Sequence, residues 1–145
     1  MKINRDELAE ILPQKGKMRL IDEIVRCDFE KHEAESRTKI TDECIFFDKS
    51  LGGVPNYVLL EFASQTVAAM LGAESKMKNQ SADVGFVLSV SNFHFDFDIL
   101  HSDFFVNVAV ALESEMGNVH AYCADFFIDG KKSGDGKLTL MKMEN

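Results

Sequence analysis

Cysteine is scarce in this chain and poorly placed for cross-linking: Cys27, Cys44 and Cys123 are an odd number at wide, unpatterned intervals. That excludes a disulfide framework and a zinc-type spacing, so the three thiols read as buried hydrophobes. Positive charge is also short, with 16 Lys and Arg against 24 Asp and Glu and a net charge of −8. Such a balance excludes a general nucleic-acid or anionic-membrane binder, and it disfavours acidic partners unless basic residues gather locally. No uninterrupted apolar stretch reaches the roughly 18 residues of a membrane span. The start, 1–7, carries two acids before any apolar run, which is not the pattern of a signal peptide. A Ser-His-Asp order, a nucleophile elbow, a phosphate loop and a metal-spaced cluster are all missing. The expectation is a cytoplasmic protein with no cofactor and no metal, binding neither nucleic acid nor membrane.

What is present suits one core. The chain has 145 residues, 46% of them apolar, and reads as a single domain over 1–145. Asn4 and Glu7 form a capping-box pair opening a short helix that Leu12-Pro13 closes. Leu20 to Phe29 and Ala34 to Ile40 alternate apolar and polar residues around Glu30-Lys31-His32-Glu33, the pattern of a hairpin. An apolar run at 44–47 leads into a loop from Asp48 to Gly53, then an apolar helix whose pattern fades between Glu74 and Ser81. From Val84 the period changes to 2, through Val84–Val90, Phe93–Asp98, Phe104–Glu113, Val119–Ile128 and, after an Asp129-Gly130 turn, Ser133–Met141. The sum is an α+β domain, an antiparallel sheet wrapped around one central buried helix.

That helix, Val58 to Leu71, holds a single charge, Glu61. Apolar residues cover it nearly all round, apart from a stripe of Glu61, Ser64, Gln65 and Ala68 at i,i+3 and i,i+4 spacing. A carboxylate inside protein costs several kcal/mol unless paired, protonated or facing a cavity. Burial is expected to raise its pKa and keep it protonated near neutrality, which suits a general acid; Gln65 is expected to orient it. The stripe of Phe93, Phe95 and Phe97 reads as a core face, with an acyl tunnel as the alternative. His32 and His120 read as exposed and inert, while His94 and His101 flank the Phe stripe. The small-residue ridge of Ala68, Ala69, Gly72 and Ala73, with one free strand edge, is expected to need a second subunit.

The element order, with Gly53-Val54-Pro55 feeding a helix that reads Leu60-Glu61-Phe62-Ala63-Ser64-Gln65, resembles the hotdog fold, and within it the β-hydroxyacyl-acyl-carrier-protein dehydratases. Leu12-Pro13-Gln14 through Ile24, Ile45-Phe46-Phe47, Gly85-Phe86-Val87 and the Asp129-Gly130 hairpin are similar in order and spacing to that family's segments. The resemblance implies an acyl carrier protein partner and a thioester substrate. It also implies that a loop histidine and a helix carboxyl, from opposite subunits of a dimer, remove water from a 3-hydroxyacyl group. Carried over, the helix acid falls on Glu61 and its neighbour on Gln65. The substrate-binding loop falls on Gly52, Gly53, Val54 and Pro55, with helix-start N–H groups receiving the thioester oxygen. The family's histidine falls near Ser50, and the chain has no histidine between His32 and His94. Ser50 and His94 are therefore the candidate bases, and the shortened loop resembles a divergent branch associated with aryl polyene biosynthesis. The missing histidine keeps a non-catalytic acyl-binding or dimer-partner subunit open, and the helix acid keeps an acyl thioesterase open. A homodimer or a heterodimer with a hotdog paralogue fits either. Lys15, Lys17, Arg19 and Lys49 are the candidate docking residues for an acidic carrier.

Overall fold

A computed structural model describes residues 1–80 and 84–143. Helix α1 (Arg5–Ile11) opens on the expected capping box: the Glu7 N–H donates to Asn4 Oδ1 at 2.9 Å and the Asn4 N–H to Glu7 Oε1 at 3.3 Å. Strands β1 (Glu23–Asp28) and β2 (Glu33–Lys39) form the first hairpin, turned at His32 with φ 54°. Strand β3 (Gly53–Pro55) runs through a 3-10 turn at Asn56–Val58 into helix α2 (Leu59–Met77). Strands β4 (Val84–Phe95), β5 (Ile99–His101), β6 (Phe105–Met116), β7 (Val119–Ile128) and β8 (Lys131–Met143) follow. The large sheet is antiparallel in the order β1-β2-β6-β7-β8-β4, and β3 pairs with β5 in a small second sheet.

Alternation sets which face is buried. Val106, Val108 and Val110 on β6, Tyr122, Ala124 and Phe126 on β7, and Leu138 and Leu140 on β8 all point to the core. Against them α2 packs Leu59, Phe62, Ala63, Val67 and Met70, each at most 1% exposed. At about 1.5–3 kcal/mol per large apolar side chain, this face outweighs the exposed ion pairs, which contribute about 0–1 kcal/mol each. One polar pair lies inside it. The Thr66 hydroxyl donates to Phe62 O at 2.7 Å, so the buried Ser36 hydroxyl is the donor in their 2.8 Å contact.

The Phe stripe of β4 packs on this core. Phe95 lies 5.1 Å from the Phe126 ring, and Phe93 and Phe95 cross β8 where Gly136 and Gly134 leave room for them. A Cβ on Gly136 would sit 2.3 Å from the Phe93 ring. The two sheet edges differ. Ile3 bridges Ile24 with two 2.9 Å hydrogen bonds and the Met1 ammonium donates to Cys27 O, so the β1 edge is covered. The β4 edge has no partner strand among the described residues.

Three expectations need correction. The helix continues to Met77, beyond the expected fading at Glu74, because Glu74 pairs with Lys78 one turn on and Lys76 with Glu10 of α1. Ser81, the end of the expected connection, lies outside the described residues. The small-residue ridge is no vacant interface: Ala69 and Ala73 are buried, and Gly72 lets Ile11 approach to where a Cβ would meet its side chain at 2.5 Å. His120, expected to be exposed, is buried on the inner face of β7 with Nδ1 3.5 Å from Glu115. Cys27 is buried as expected, while Cys44 and Cys123 are half-buried.

Gly53 is the tightest backbone approach of the small sheet, since a Cβ there would lie 2.3 Å from Leu100 O. Replacing Gly53 with Ala is expected to destabilise by roughly 1–3 kcal/mol, the usual scale of overpacking. A thermal melt checks this, and an unchanged midpoint would mean that β3 and β5 are not held at this distance.

Candidate active site

The site is organised by Gln65, 1% exposed on α2. Its Oε1 accepts the Leu20 N–H at 2.8 Å, which fixes the amide orientation and aims Nε2 at Met18 O (2.8 Å) and Glu61 Oε1 (3.2 Å). One side chain therefore straps segment 16–20 onto the helix and holds the carboxyl one turn away. Glu61 itself is exposed, contrary to the expected burial. The sheet, α1 and segment 16–20 cover most of the helix, Gln65 included, and leave the Glu61 end of the stripe open. The water-excluding cover expected around Glu61 is therefore not supplied by the sheet of its own chain. The helical run that carries Glu61 starts at Asn56 with no side-chain cap; the Asn56 N–H donates to Asp98 O, so the positive end of the helix is left to the amides that follow it.

Between segment 16–22, segment 38–44 and Phe62 of the helix lies a cleft of ≈ 730 Å³ with a charged rim and an apolar floor. Arg5, Lys17, Arg19 and Lys39 supply positive charge against Asp22 and Glu43, while Phe62, Ile40 and Cys44 line the depth. Burial pushes the Cys44 thiol above its ordinary pKa, so it stays a neutral thiol. Arg19 is braced by a 2.9 Å bond from Nη1 to Arg5 O. Of the expected docking residues, Lys17 and Arg19 line this cleft; Lys15 does not, its Nζ donating to Ala9 O, and Lys49 lines a separate hollow near Asp103.

The loop before the helix is a closed turn. Asp48 N–H donates to Gly53 O at 2.8 Å, and the Gly52 N–H returns to Asp48 O at 2.9 Å. Ser50 donates both its N–H (2.8 Å) and its hydroxyl (2.5 Å) to Asp48 Oδ1, and these bonds hold the Asp48 carboxyl below the usual carboxylate range. Gly52 is exposed at φ 72°, Gly53 and Val54 are buried, and Pro55 is half-buried. His94 is exposed on the alternate face from Phe93 and Phe95, with Nε2 3.3 Å from Asp96. The structure thus brings Glu61 and Gln65 together, and it places Ser50 and His94 in other local pairings.

Two residues near the helix start were given no role by sequence: Asn56, and His101, which was noted only as flanking the Phe stripe. Asn56 donates its side-chain amide to Phe97 O at 2.8 Å and its N–H to Asp98 O at 2.9 Å, tying the helix start to the β4–β5 connection. Its position after Pro55 at a helix opening was the available signal. His101 is opposite Gly53 in the β3–β5 ladder, with Nδ1 3.3 Å from Gly52 O. Only the pairing of two three-residue strands brings it there. His120 belongs to the other end of α2, with Tyr122, whose phenol is pushed up to about 12 by burial, with Glu74 and Glu115 adding to the shift. Glu74 is 13 residues along the helix from Glu61, about 20 Å at 1.5 Å per residue.

Replacing Gln65 with Ala leaves the Leu20 N–H and Met18 C=O without their partner, at a cost of roughly 2–4 kcal/mol. Replacing it with Glu keeps an acceptor but faces a carboxyl toward Met18 O and Glu61. Its folded-state pKa is then raised, so stability is retained in acid and lost as pH rises through that value. Thermal melts of the Gln65→Glu variant across pH 4 to 8 check this; a pH-independent difference from the parent would remove Gln65 from the clamp.

No helix among the described residues is long and apolar enough to cross a membrane. Among curated proteins, none matches the chain. Of solved structures, the dehydratase heterocomplex ApeI:P from Xenorhabdus doucetiae aligns over 95% of this chain and 91% of its own, at 12% identity and TM-score 0.86. A hypothetical thioesterase with coenzyme A from Streptococcus pneumoniae TIGR4 aligns over 84% and 85%, at 10% identity and TM-score 0.64. Cj0977, a sigma28-regulated virulence protein from Campylobacter jejuni, aligns over 97% and 90%, at 14% identity and TM-score 0.68. These likenesses show the hotdog fold, an antiparallel sheet around one long helix. Residues 6–145 match the ApeP-like family, described as ApeP dehydratase, and the chain belongs to that family.

Proposed function

We propose that this chain is a dehydratase-type hotdog subunit acting in the cytoplasm on 3-hydroxyacyl groups carried by an acyl carrier protein. The observation that carries this reading is Glu61, oriented by Gln65 at the opening of α2 in a chain of the ApeP dehydratase family. Protonated, the Glu61 carboxyl delivers its proton to the leaving 3-hydroxyl. The uncapped amides at the start of the helical run receive charge developing on the thioester oxygen. A second hotdog subunit, of the same or a paralogous chain, covers the exposed Glu61 stripe and pairs along the free β4 edge. The heterocomplex arrangement of the Xenorhabdus relative supports that assembly.

A thioesterase is the second reading, favoured by the pneumococcal neighbour and by the same carboxyl, which would then activate water. Offering 3-hydroxyacyl and acyl thioesters separates the two: enoyl absorbance marks dehydration and free thiol marks hydrolysis. If the assembled protein gives neither signal, a non-catalytic subunit remains.

Replacing Glu61 with Gln keeps volume and the contact with Gln65 but removes the transferable proton. Turnover is expected to fall by roughly 10²–10⁴-fold with little change in melting temperature. A wild-type rate in this variant would take Glu61 out of the mechanism.

The cationic rim supports docking of an acidic carrier despite the net charge of −8. Lys17→Glu is expected to weaken carrier-protein binding by about tenfold and to flatten its salt dependence, leaving a small-molecule thioester unaffected. Calorimetric titration at two ionic strengths checks this, and unchanged affinity would remove the rim from docking.

A further inference from the structure

We propose that His101 is the general base of this chain, standing in from β5 for the histidine that the loop lacks. The inference rests on the dehydratase reading above, in which acid and base arrive from opposite subunits. His101 accordingly serves the helix carboxyl of the subunit facing it.

Four observations carry it. First, the β3–β5 register sets His101 directly opposite Gly53, at the end of the loop where the expected base would lie. Ser50, in that loop, already gives its hydroxyl proton to Asp48. Second, the imidazole is oriented. Gly52 O can only accept, so the 3.3 Å contact makes Nδ1 the protonated nitrogen and leaves the lone pair on Nε2, the tautomer a base requires. Among the described residues, no hydrogen bond occupies Nε2. Third, His101 is exposed in the protomer, as Glu61 is, with the large apolar side chain of Phe104 open three residues on and Leu51 open next to Gly52. Fourth, it lines an open cleft of ≈ 530 Å³ whose apolar wall includes Phe97, Ile99 and Ile128. That is the scale and character of a small-ligand site.

The other imidazoles lack this combination. His32 is in the β1–β2 turn, His94 pairs with Asp96, and His120 is buried at the far end of α2.

In the reaction, His101 Nε2 takes the C2 proton of the 3-hydroxyacyl thioester, and the electron pair of that C–H bond moves toward the thioester carbonyl. The pair returns to form the C2–C3 double bond as the C3–O bond breaks, and the facing carboxyl protonates the departing hydroxyl. The products are the 2-enoyl thioester, water, an imidazolium and a carboxylate. Proton return from imidazolium to carboxylate through solvent resets both groups.

The test uses the assembly that the chain forms in solution and 3-hydroxyacyl groups on acyl carrier protein. His101→Asn is the informative variant, because its side-chain amide can still donate to Gly52 O while the basic nitrogen is lost. Turnover is expected to fall by roughly 10²–10⁴-fold, with an unchanged melt. Exchange of the C2 proton with deuterated water, followed on a saturated acyl thioester that cannot dehydrate, is expected to fall by the same factor. A purely structural role would not remove that exchange from a folded protein. If His101→Asn does not fold, His101→Gln, which keeps the ring's reach, takes its place in both assays. Wild-type turnover or wild-type exchange in a folded variant overturns the assignment of His101 and leaves the dehydratase reading standing. No enoyl product from the unmodified assembly overturns that reading and this assignment together.

Discussion

A single primary amide holds the candidate site together. Gln65 is almost fully buried, and its carboxamide meets a backbone N–H, a backbone C=O and the Glu61 carboxyl at 2.8, 2.8 and 3.2 Å. Each backbone group is in a place where losing its partner costs about 1–3 kcal/mol, so the strap at 16–20 and the helix cannot separate cheaply. Because the same strap carries Lys17 and Arg19, the cationic rim of the cleft is positioned by the residue that positions the acid. Neither a hydroxyl nor a carboxylate could meet all three neighbours, since the site needs one acceptor and two donors on one planar group.

A second constraint is steric. The small sheet exists because Gly53 has no Cβ to strike Leu100 O, and β3 then delivers the chain to the helix opening at a fixed angle. Asn56 fastens the same point from the other side through Phe97 O and Asp98 O. The loop, the helix start and the end of β4 are thereby one rigid unit, although they come from parts of the sequence some forty residues apart, as between Asn56 and Phe97.

Local patterns were legible where a local cause decides the outcome. The capping box at Asn4 and Glu7 formed, Asp129 and Gly130 both took positive φ (48° and 84°), and the alternating Phe residues of β4 went to the core. The antiparallel sheet around one helix followed from the change of period at Val84. Glu61 was misjudged for a physical reason: an apolar helix pattern says that most of its circumference is covered, but not whether its own sheet covers the last stripe. Gly72 was misjudged similarly, because a small residue marks a close approach without naming the partner, here Ile11. The position of His101 was not readable at all, since a three-residue strand has too little periodicity to fix its register.

The exposure of Glu61 bears directly on how the site would work. A general acid at neutral pH needs its charged form disfavoured, which takes surroundings that exclude water. The protomer leaves Ile45, Phe46, Leu51 and Tyr57 between 40% and 65% exposed in the loop and turn leading to this helix. Covering the exposed half of four such side chains contributes roughly 3–6 kcal/mol, since about 1.5–3 kcal/mol is the value for burying one that was fully exposed. That is at the low end of the roughly 4–15 kcal/mol that association costs in lost freedom, so the proposed pairing also needs the hydrogen bonds of the β4 edge. In the proposed assembly, the contact that stabilises the pair also strips water from Glu61.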